Sequence, residues 1–318
     1  MSTESRASGE PAPRLCVLAA TPQLTVTIEP GVEGGTELHL HAGGQGLWLA
    51  RMARSLGADV VVCGPFGGEA GDVVEHLARQ EGLTVRAVPN PAGNGAYVHD
   101  RRPGQRTELA RMAPARLGRH AVDDLYGTVL VESLDADVVA IAGAEPADTI
   151  PAEFFARLAE DLRASGRRVV ADLSGDAALA VIGPGVDVLK MSHTEMLAAG
   201  VAYGPGSDEL VAGAHRLLAG GVRAVVVSRE ADPTLLISSD TAVEVRVPPV
   251  TTVDPRGGGD SMSAGIAVGL GRGMTLSESV RLGAAAGALN VTRRGLGTGR
   301  REQIERFAQE VVIGEITD

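Results

Sequence analysis

The segment richest in possible chemistry is Asp254-Pro255-Arg256-Gly257-Gly258-Gly259-Asp260-Ser261-Met262-Ser263-Ala264-Gly265. Three glycines run directly into an apolar stretch of Ala and Gly. A helix that begins there presents unpaired N–H groups and the positive end of its dipole. Glycine lets an anion approach that backbone closely. An Asp in a first turn is ordinarily a capping residue. After a three-glycine anion nest, Asp260 reads as a general base. Its carboxylate can accept the proton of an attacking hydroxyl while Gly257, Gly258 and Gly259 hold charge on a transferring phosphoryl group.

Composition narrows the remaining chemistry. The chain has 318 residues, 29 basic and 40 acidic, and a formal charge of −11. Only one of the basic residues is a lysine, Lys190, and it sits between Leu189 and Met191. That excludes a Walker A loop and the protein-kinase Val-Ala-Ile-Lys strand. No G-x-G-x-x-G/A stretch occurs, so a nicotinamide-binding Rossmann unit is not expected. The acidic balance argues against nucleic acid or an anionic membrane as partner. Arg101, Arg102, Arg106 and Arg111 form a local basic cluster, read as a solvated loop. Cys16 and Cys63 lie in separate apolar runs and read as buried strand residues. His39 and His41 share one face of a strand, read as exposed rather than as a metal pair. The first residues are polar, without an apolar leader, and no run of about 18 apolar residues follows. A disordered tail over 1–13 and a cytoplasmic protein are expected.

These residues need a scaffold. Apolar runs at Leu15–Ala20, Val60–Cys63, Val138–Ala142, Arg168–Asp172, Val186–Leu189 and Ala224–Ser228 alternate with amphipathic stretches at Leu47–Leu56, Ala70–Gln80, Val122–Leu134, Ala152–Ala164 and Glu209–Leu218. That rhythm predicts an α/β fold: a doubly wound, mostly parallel sheet flanked by helices, over residues 14–310. Two long helices are expected at Gly259–Leu270 and Leu276–Arg293. Gln23–His41 and Gly95–Ala110 instead alternate polar and apolar residues, the period of antiparallel strands. They are read as excursions meeting in a small β-sheet lid, too small to stand alone and so a candidate surface for a homodimer.

The Asp254–Ala267 segment resembles the second signature of the pfkB (ribokinase-like) carbohydrate kinases. Ala42-Gly43-Gly44-Gln45-Gly46-Leu47-Trp48-Leu49-Ala50, followed by Gly57 and Gly67, resembles the first. Gly64 to Asp72 is most similar to the 1-phosphofructokinase and tagatose-6-phosphate kinase branch. The likeness spans roughly Leu15 to Phe307, and it implies a ribokinase-like fold and transfer of the ATP γ-phosphoryl group to a hydroxyl of a sugar or sugar phosphate. It also implies roles. Lys190-Met191-Ser192-His193-Thr194-Glu195 is similar to the family's Lys-Pro-Asn-x-x-Glu stretch, so Glu195 would organise Mg²⁺ through water, with Ser192 in place of Asn. Asp172 stands where the family has an Asp after a core strand. Lys190, Ser192, Ser228, Arg256, Asn290, Gly297 and Gly299 would face the nucleotide. Thr25, Gly43, Gly44, Gln45, Trp48 and Asp260 would face the acceptor.

The chain departs from the family on the acceptor side. Trp48 replaces an Asn, Gln45 a Lys and Thr25 an Asp, and Gly93 stands where an Arg for phosphate is common. Together they remove a charge clamp for a phosphosugar. Arg106 or Arg111 from the lid is the expected replacement. By the nucleotide, Glu230 and Pro233 replace two family glycines in Ser228–Pro233. Two further readings stay open. A non-sugar acceptor such as a nucleoside is suggested by Trp48. A ligand-binding or regulatory relative without turnover is suggested by Thr25, Gln45, Trp48, Ser192 and Glu230.

Overall fold

A computed structural model describes residues 11–31 and 34–316. The expected tail falls largely on residues 1–10, outside the described residues.

The chain opens with β1 (Arg14–Ala19), then leaves the main body as a hairpin, β2 (Gln23–Pro30) and β3 (Thr36–Gly43). It returns through α1 (Gln45–Ser55), β4 (Asp59–Phe66), α2 (Gly68–Gln80) and β5 (Thr84–Pro89). A second hairpin follows, β6 (Gly95–Asp100) and β7 (Thr107–Met112). Helix and strand then alternate: α3 (Arg119–Ser133), β8 (Val138–Ala142), α4 (Ala152–Ala164), β9 (Arg168–Asp172), α5 (Gly175–Ala180), β10 (Val188–Ser192), α6 (His193–Ala198), α7 (Ser207–Ala219) and β11 (Ala224–Arg229). The last part holds β12 (Asp232–Ser238), β13 (Ala242–Arg246), α8 (Gly258–Gly271), α9 (Leu276–Val291), α10 (Arg301–Ala308) and β14 (Val312–Gly314).

Ten strands form one sheet in the order β14-β13-β12-β11-β10-β9-β8-β1-β4-β5. From β11 to β5 every pairing is parallel, and β12 to β14 extend the edge antiparallel. The parallel strands are nearly continuous apolar runs because helices cover both faces. One aliphatic core packs α1, α8 and α9 on the sheet; the other packs α3, α4 and α7. Chain order reverses about β1, so a crevice opens beyond its C-terminal end, the usual ligand site of such sheets.

Both hairpins leave the body at that end and pair in the order β3-β2-β6-β7. Each hairpin is antiparallel, as its period-2 pattern predicts. The pair joining them, β2 with β6, is parallel, which corrects the all-antiparallel expectation. β2 and β6 are the outgoing strands of the two excursions, so their pairing is parallel. The lid strands also run to Gly43 and Met112, beyond the expected 41 and 110. The main domain likewise passes its expected end at 310, because β14 hydrogen-bonds to β13.

Candidate active site

Helix α8 carries the anion nest. Gly257 caps it in the left-handed region at φ 70°, a conformation in which a side chain would be strained. Asp260 lies in its first turn and is buried. The helix is apolar all round, and α9 crosses it so tightly that a Cβ at Gly265 would lie 2.6 Å from the Gly283 Cα. That crossing fixes where the N-terminus points.

Beneath the nest lies a buried charge network drawn from three strand and helix ends. Lys190, near the end of β10, donates to both carboxylate oxygens of Asp172 at the end of β9, at 3.1 and 3.3 Å. Ser263 of α8 donates to the same carboxylate at 2.7 Å. A Cβ at Gly259 would lie 2.5 Å from the Lys190 ammonium, so only glycine lets that charge touch the helix start. Burial works against a charged lysine here. Asp172, Glu195 and Asp260 outweigh it and raise the Lys190 pKa. Burial and the Asp172 charge push Asp260 up to about 8, with Lys190 opposing. The sequence alone did not mark Ser263, although it lies one turn beyond Asp260.

Glu195 closes a capping box at the start of α6. It accepts from the Ser192 N–H at 2.6 Å, and the Ser192 hydroxyl accepts from the Glu195 N–H at 3.2 Å. Its second carboxylate oxygen has no hydrogen bond among the described residues. Ser228 ends the neighbouring strand, half-buried. Asn290 stands apart from the ligand-contact role implied for it. It is fully buried and spends its amide on backbone, donating to the Arg256 carbonyl at 2.8 Å and accepting from Gly297 N–H at 2.9 Å. It thus braces the nest against the turn at 295–299. That turn packs on the Trp48 backbone through Gly297, while Gly299 sits against Ile304 and Met52.

The lid and the body enclose a cavity of ≈ 230 Å³, lined in part by Thr25, Trp48, Arg101, Arg106, Leu296 and Thr298. Trp48 is therefore a cavity wall rather than a core residue. The Gly295–Thr298 turn borders this acceptor-side cavity. Gly44 caps α1, and Gly43 backs onto the Thr25 hydroxyl, which finds no protein partner. Gln45 lies beside Gly143 at the end of β8, outside that lining. His41 is exposed on its strand, as expected, and borders the cavity, with its pKa lowered by desolvation and by Arg51. No group of three or more metal-ligating side chains occurs among the described residues.

The basic cluster is not the solvated loop expected. Arg102 pairs locally with Asp100, and Arg111 with Glu108. Arg101 and Arg106 instead turn inward from the β6–β7 loop, and both reach the Asp254 carboxylate. Asp254 also accepts from the Arg256 N–H at 3.1 Å. One carboxylate thus ties the lid to the first residues of the nest. An acid at 254, isolated within a glycine-rich segment, was the available sign of a partner for those arginines.

A glycine nest at a helix start, a buried carboxylate with its pKa pushed up to about 8 and a lid over a cavity are the arrangement of a phosphotransferase with an alcohol group as acceptor. The pfkB family carbohydrate kinase model matches residues 18–303, and the chain belongs to that family. The ATP-dependent 6-phosphofructokinase isozyme 2 of Mycobacterium tuberculosis is 30% identical over 317 residues, covering 96% of this chain and 92% of its own. The 1-phosphofructokinase of Bacillus subtilis is 27% identical over 279 residues, 86% of this chain and 88% of its own. In structure, phosphofructokinase-2 of Escherichia coli in complex with potassium superposes with a TM-score of 0.82 at 24% identity, covering 94% of this chain and 98% of that one. A ribokinase of Arabidopsis thaliana complexed with ribose and ATP gives 0.74 at 20% identity. The fold is ribokinase-like.

Proposed function

We propose that this protein transfers the γ-phosphoryl group of ATP to a hydroxyl of a sugar or sugar phosphate, in the manner of a phosphofructokinase. The observation that carries the reading is Asp260, buried at the start of α8 beside three glycines, with its pKa pushed up to about 8 by burial and Asp172. A carboxylate held well above the ordinary carboxylate pKa takes up a proton readily, as a general base must. Asp260 takes the acceptor proton. The N–H groups from Gly257 to Asp260 receive the charge spreading over the phosphoryl oxygens. Lys190 holds a compact positive charge directly under that backbone. The Arg256 side chain, adjoining the nest, and Ser228 border the nucleotide, whereas Gly297 packs on the Trp48 backbone.

Mg²⁺ suits this site. A phosphate-bound magnesium takes only one or two protein carboxylates and keeps its waters. The oxygen of Glu195 left over from the capping box is such a donor, held in place by Ser192. The ion would neutralise nucleotide phosphate charge.

The relatives' names support the phosphosugar class of acceptor and the use of ATP. The outer face of the lid supports a homodimer. Val26, Leu40 and Val98 lie side by side there, with Leu40 and Met112 about half exposed. A cytoplasmic location fits this chemistry, and no helix among the described residues is long and apolar enough to cross a membrane. Trp48 on the cavity wall keeps one rival, a flat aromatic acceptor such as a nucleoside.

One screen separates these readings. ATP consumption is followed with sugars, sugar phosphates and nucleosides, for the native protein and for Asp260→Asn. The proposal expects turnover with a sugar or its phosphate and a loss of at least roughly 10³-fold in the variant. Undiminished turnover by Asp260→Asn removes the base. Preference for nucleosides moves the protein to the rival reading.

A further inference from the structure

Ser263 is a fully buried serine of α8, four residues from Gly259 and three from Asp260. Those spacings put all three on one side of the helix. A serine inside a helix commonly turns its hydroxyl back to the carbonyl one turn earlier. Ser55 of α1 does so toward Arg51 at 2.9 Å, and Ser279 of α9 toward Thr275 at 2.8 Å. Ser263 instead reaches out of its own helix. It donates to Oδ2 of Asp172 on β9 at 2.7 Å, 91 residues away in sequence.

The carboxylate it reaches is shared. Lys190 donates to Oδ1 of Asp172 at 3.1 Å and to Oδ2 at 3.3 Å. A charge-assisted N–H···O bond usually measures about 2.7–2.9 Å. The lysine pair is therefore long, and longer to the oxygen that Ser263 holds. A buried ammonium and a buried carboxylate attract each other strongly, because little water is left to screen them. Two contacts with α8 oppose their closing up. The ammonium lies against the helix start, where a Cβ at Gly259 would be 2.5 Å from it. The carboxylate is drawn toward the same helix by Ser263. Asp172 takes at most two of the three ammonium donors, so positive charge is left over for the nest.

We propose that Ser263 is a positioning residue for phosphoryl transfer: it fixes the Asp172 carboxylate to α8 and so keeps the Lys190 ammonium under the nest. The inference rests on the kinase reading above, in which the nest holds the transferring phosphoryl group. Ser263 is itself out of reach of both substrates, being fully buried, and acts through Asp172 on Lys190. With alanine at 263, Asp172 is free to turn Oδ2 to the lysine. The pair shortens, and the ammonium gives its charge to the carboxylate at the expense of the phosphoryl oxygens.

The test uses the full chain, with Ser263→Ala and Ser263→Thr made in the native and in a Lys190→Gln background. The probes are ATP with fructose 6-phosphate for turnover, and AMP-PNP with Mg²⁺ for calorimetric binding. In Ser263→Ala kcat falls roughly 5- to 30-fold and the AMP-PNP Kd rises about threefold or more, while the KM for fructose 6-phosphate moves less than about twofold. Ser263→Thr keeps the hydroxyl and recovers most of both losses. In Lys190→Gln no ammonium remains to be placed, and Ser263→Ala costs less than about twofold there. Equal losses in the two backgrounds, an unchanged Ser263→Ala, or a rise confined to the KM for fructose 6-phosphate overturns the proposal. If the native chain binds AMP-PNP and turns over no acceptor, the kinase reading fails, and the AMP-PNP cycle still decides for or against Ser263. Thermal melting of each variant checks the fold. Should Lys190→Gln not hold together, a Ser263→Thr that melts like the native chain yet behaves like Ser263→Ala overturns the proposal on its own.

Discussion

At the residue scale, the site is governed by one buried network of Asp172, Lys190, Asp260 and Glu195. Asp260 has its pKa raised from 3.8 to about 8 by burial first and Asp172 second. Between those two values the folded chain holds a proton that the unfolded chain has released. Asp260 therefore makes the fold less stable as pH rises from about 4 to about 8, and the effect is complete above that window. Activity moves the other way, rising along a limb near pH 8 in kcat/KM as the base ionises. Asp172→Asn removes a negative neighbour and releases Lys190 toward Asp260. Its limb moves to lower pH, with several-fold more of its plateau activity retained at pH 6. Melting falls at the same time, because Lys190 loses its buried partner, a change worth about 3–5 kcal/mol. A pH–rate profile of the two proteins decides; a limb that stays put removes Asp172 as the cause. Asp260 and its glycines were legible in sequence because spacing alone places them at a helix start. Ser263 was not, and Arg106 was named only as an alternative to Arg111. Loop arginines turned inward look, as a string, like loop arginines turned outward, and only the cross-lid partner Asp254 separates the two.

At the element scale, six of the seven parallel strands were legible because burial on both faces leaves apolar runs with no period to misread; β5, at the exposed edge, was not. β12 to β14 were not, being short edge strands that pair antiparallel and mix polar with apolar positions. The turn between β11 and β12 shows how the chain accommodates its departures. Glu230 stands where relatives have glycine, and it takes φ 54° in the left-handed region. That conformation costs a side chain about 1 kcal/mol or more. The strain is tolerated because Arg229 braces the turn, donating to the Pro233 carbonyl at 2.6 Å and to Glu244 at 3.0 Å. Glu230→Gly removes the strain but adds chain entropy to the unfolded state, so urea denaturation shows a change between neutral and about 1 kcal/mol of stabilisation. Glu230→Val, β-branched at a positive φ, loses about 1–2 kcal/mol. Equal stability of the two variants would mean that the turn relaxes and holds no strain.

At the scale of the whole molecule, the two ends of the sheet use arginine differently. At the N-terminal ends of the strands, Arg163, Arg167, Arg168 and Arg223 line a cavity of ≈ 250 Å³. Three of them donate to backbone carbonyls at or near helix ends, Pro184, Leu134, Ala136 and Leu270, where the dipole is negative. Arg223 pairs with Asp187. Their charge is answered by the fold, so this cavity asks for no ligand. At the opposite end Arg101 and Arg106 share the single carboxylate of Asp254, and the lid that carries them has apolar residues uncovered on its outer side. Leu38 and Leu40 are 63% and 47% exposed, and they lie opposite Ile28 and Val26 in register. The outer face of this four-stranded sheet leaves those leucines in water. A second copy set against the same face would cover both apolar sides at once, since a two-fold contact repeats each leucine. It would also steady β2, on which Thr25 is carried. Leu40→Glu places two like charges in that contact. Light scattering then shows a dimer for the native chain and a monomer for the variant. The variant's acceptor KM rises several-fold, while its melting curve stays cooperative. A native chain that is monomeric at micromolar concentration removes this contact.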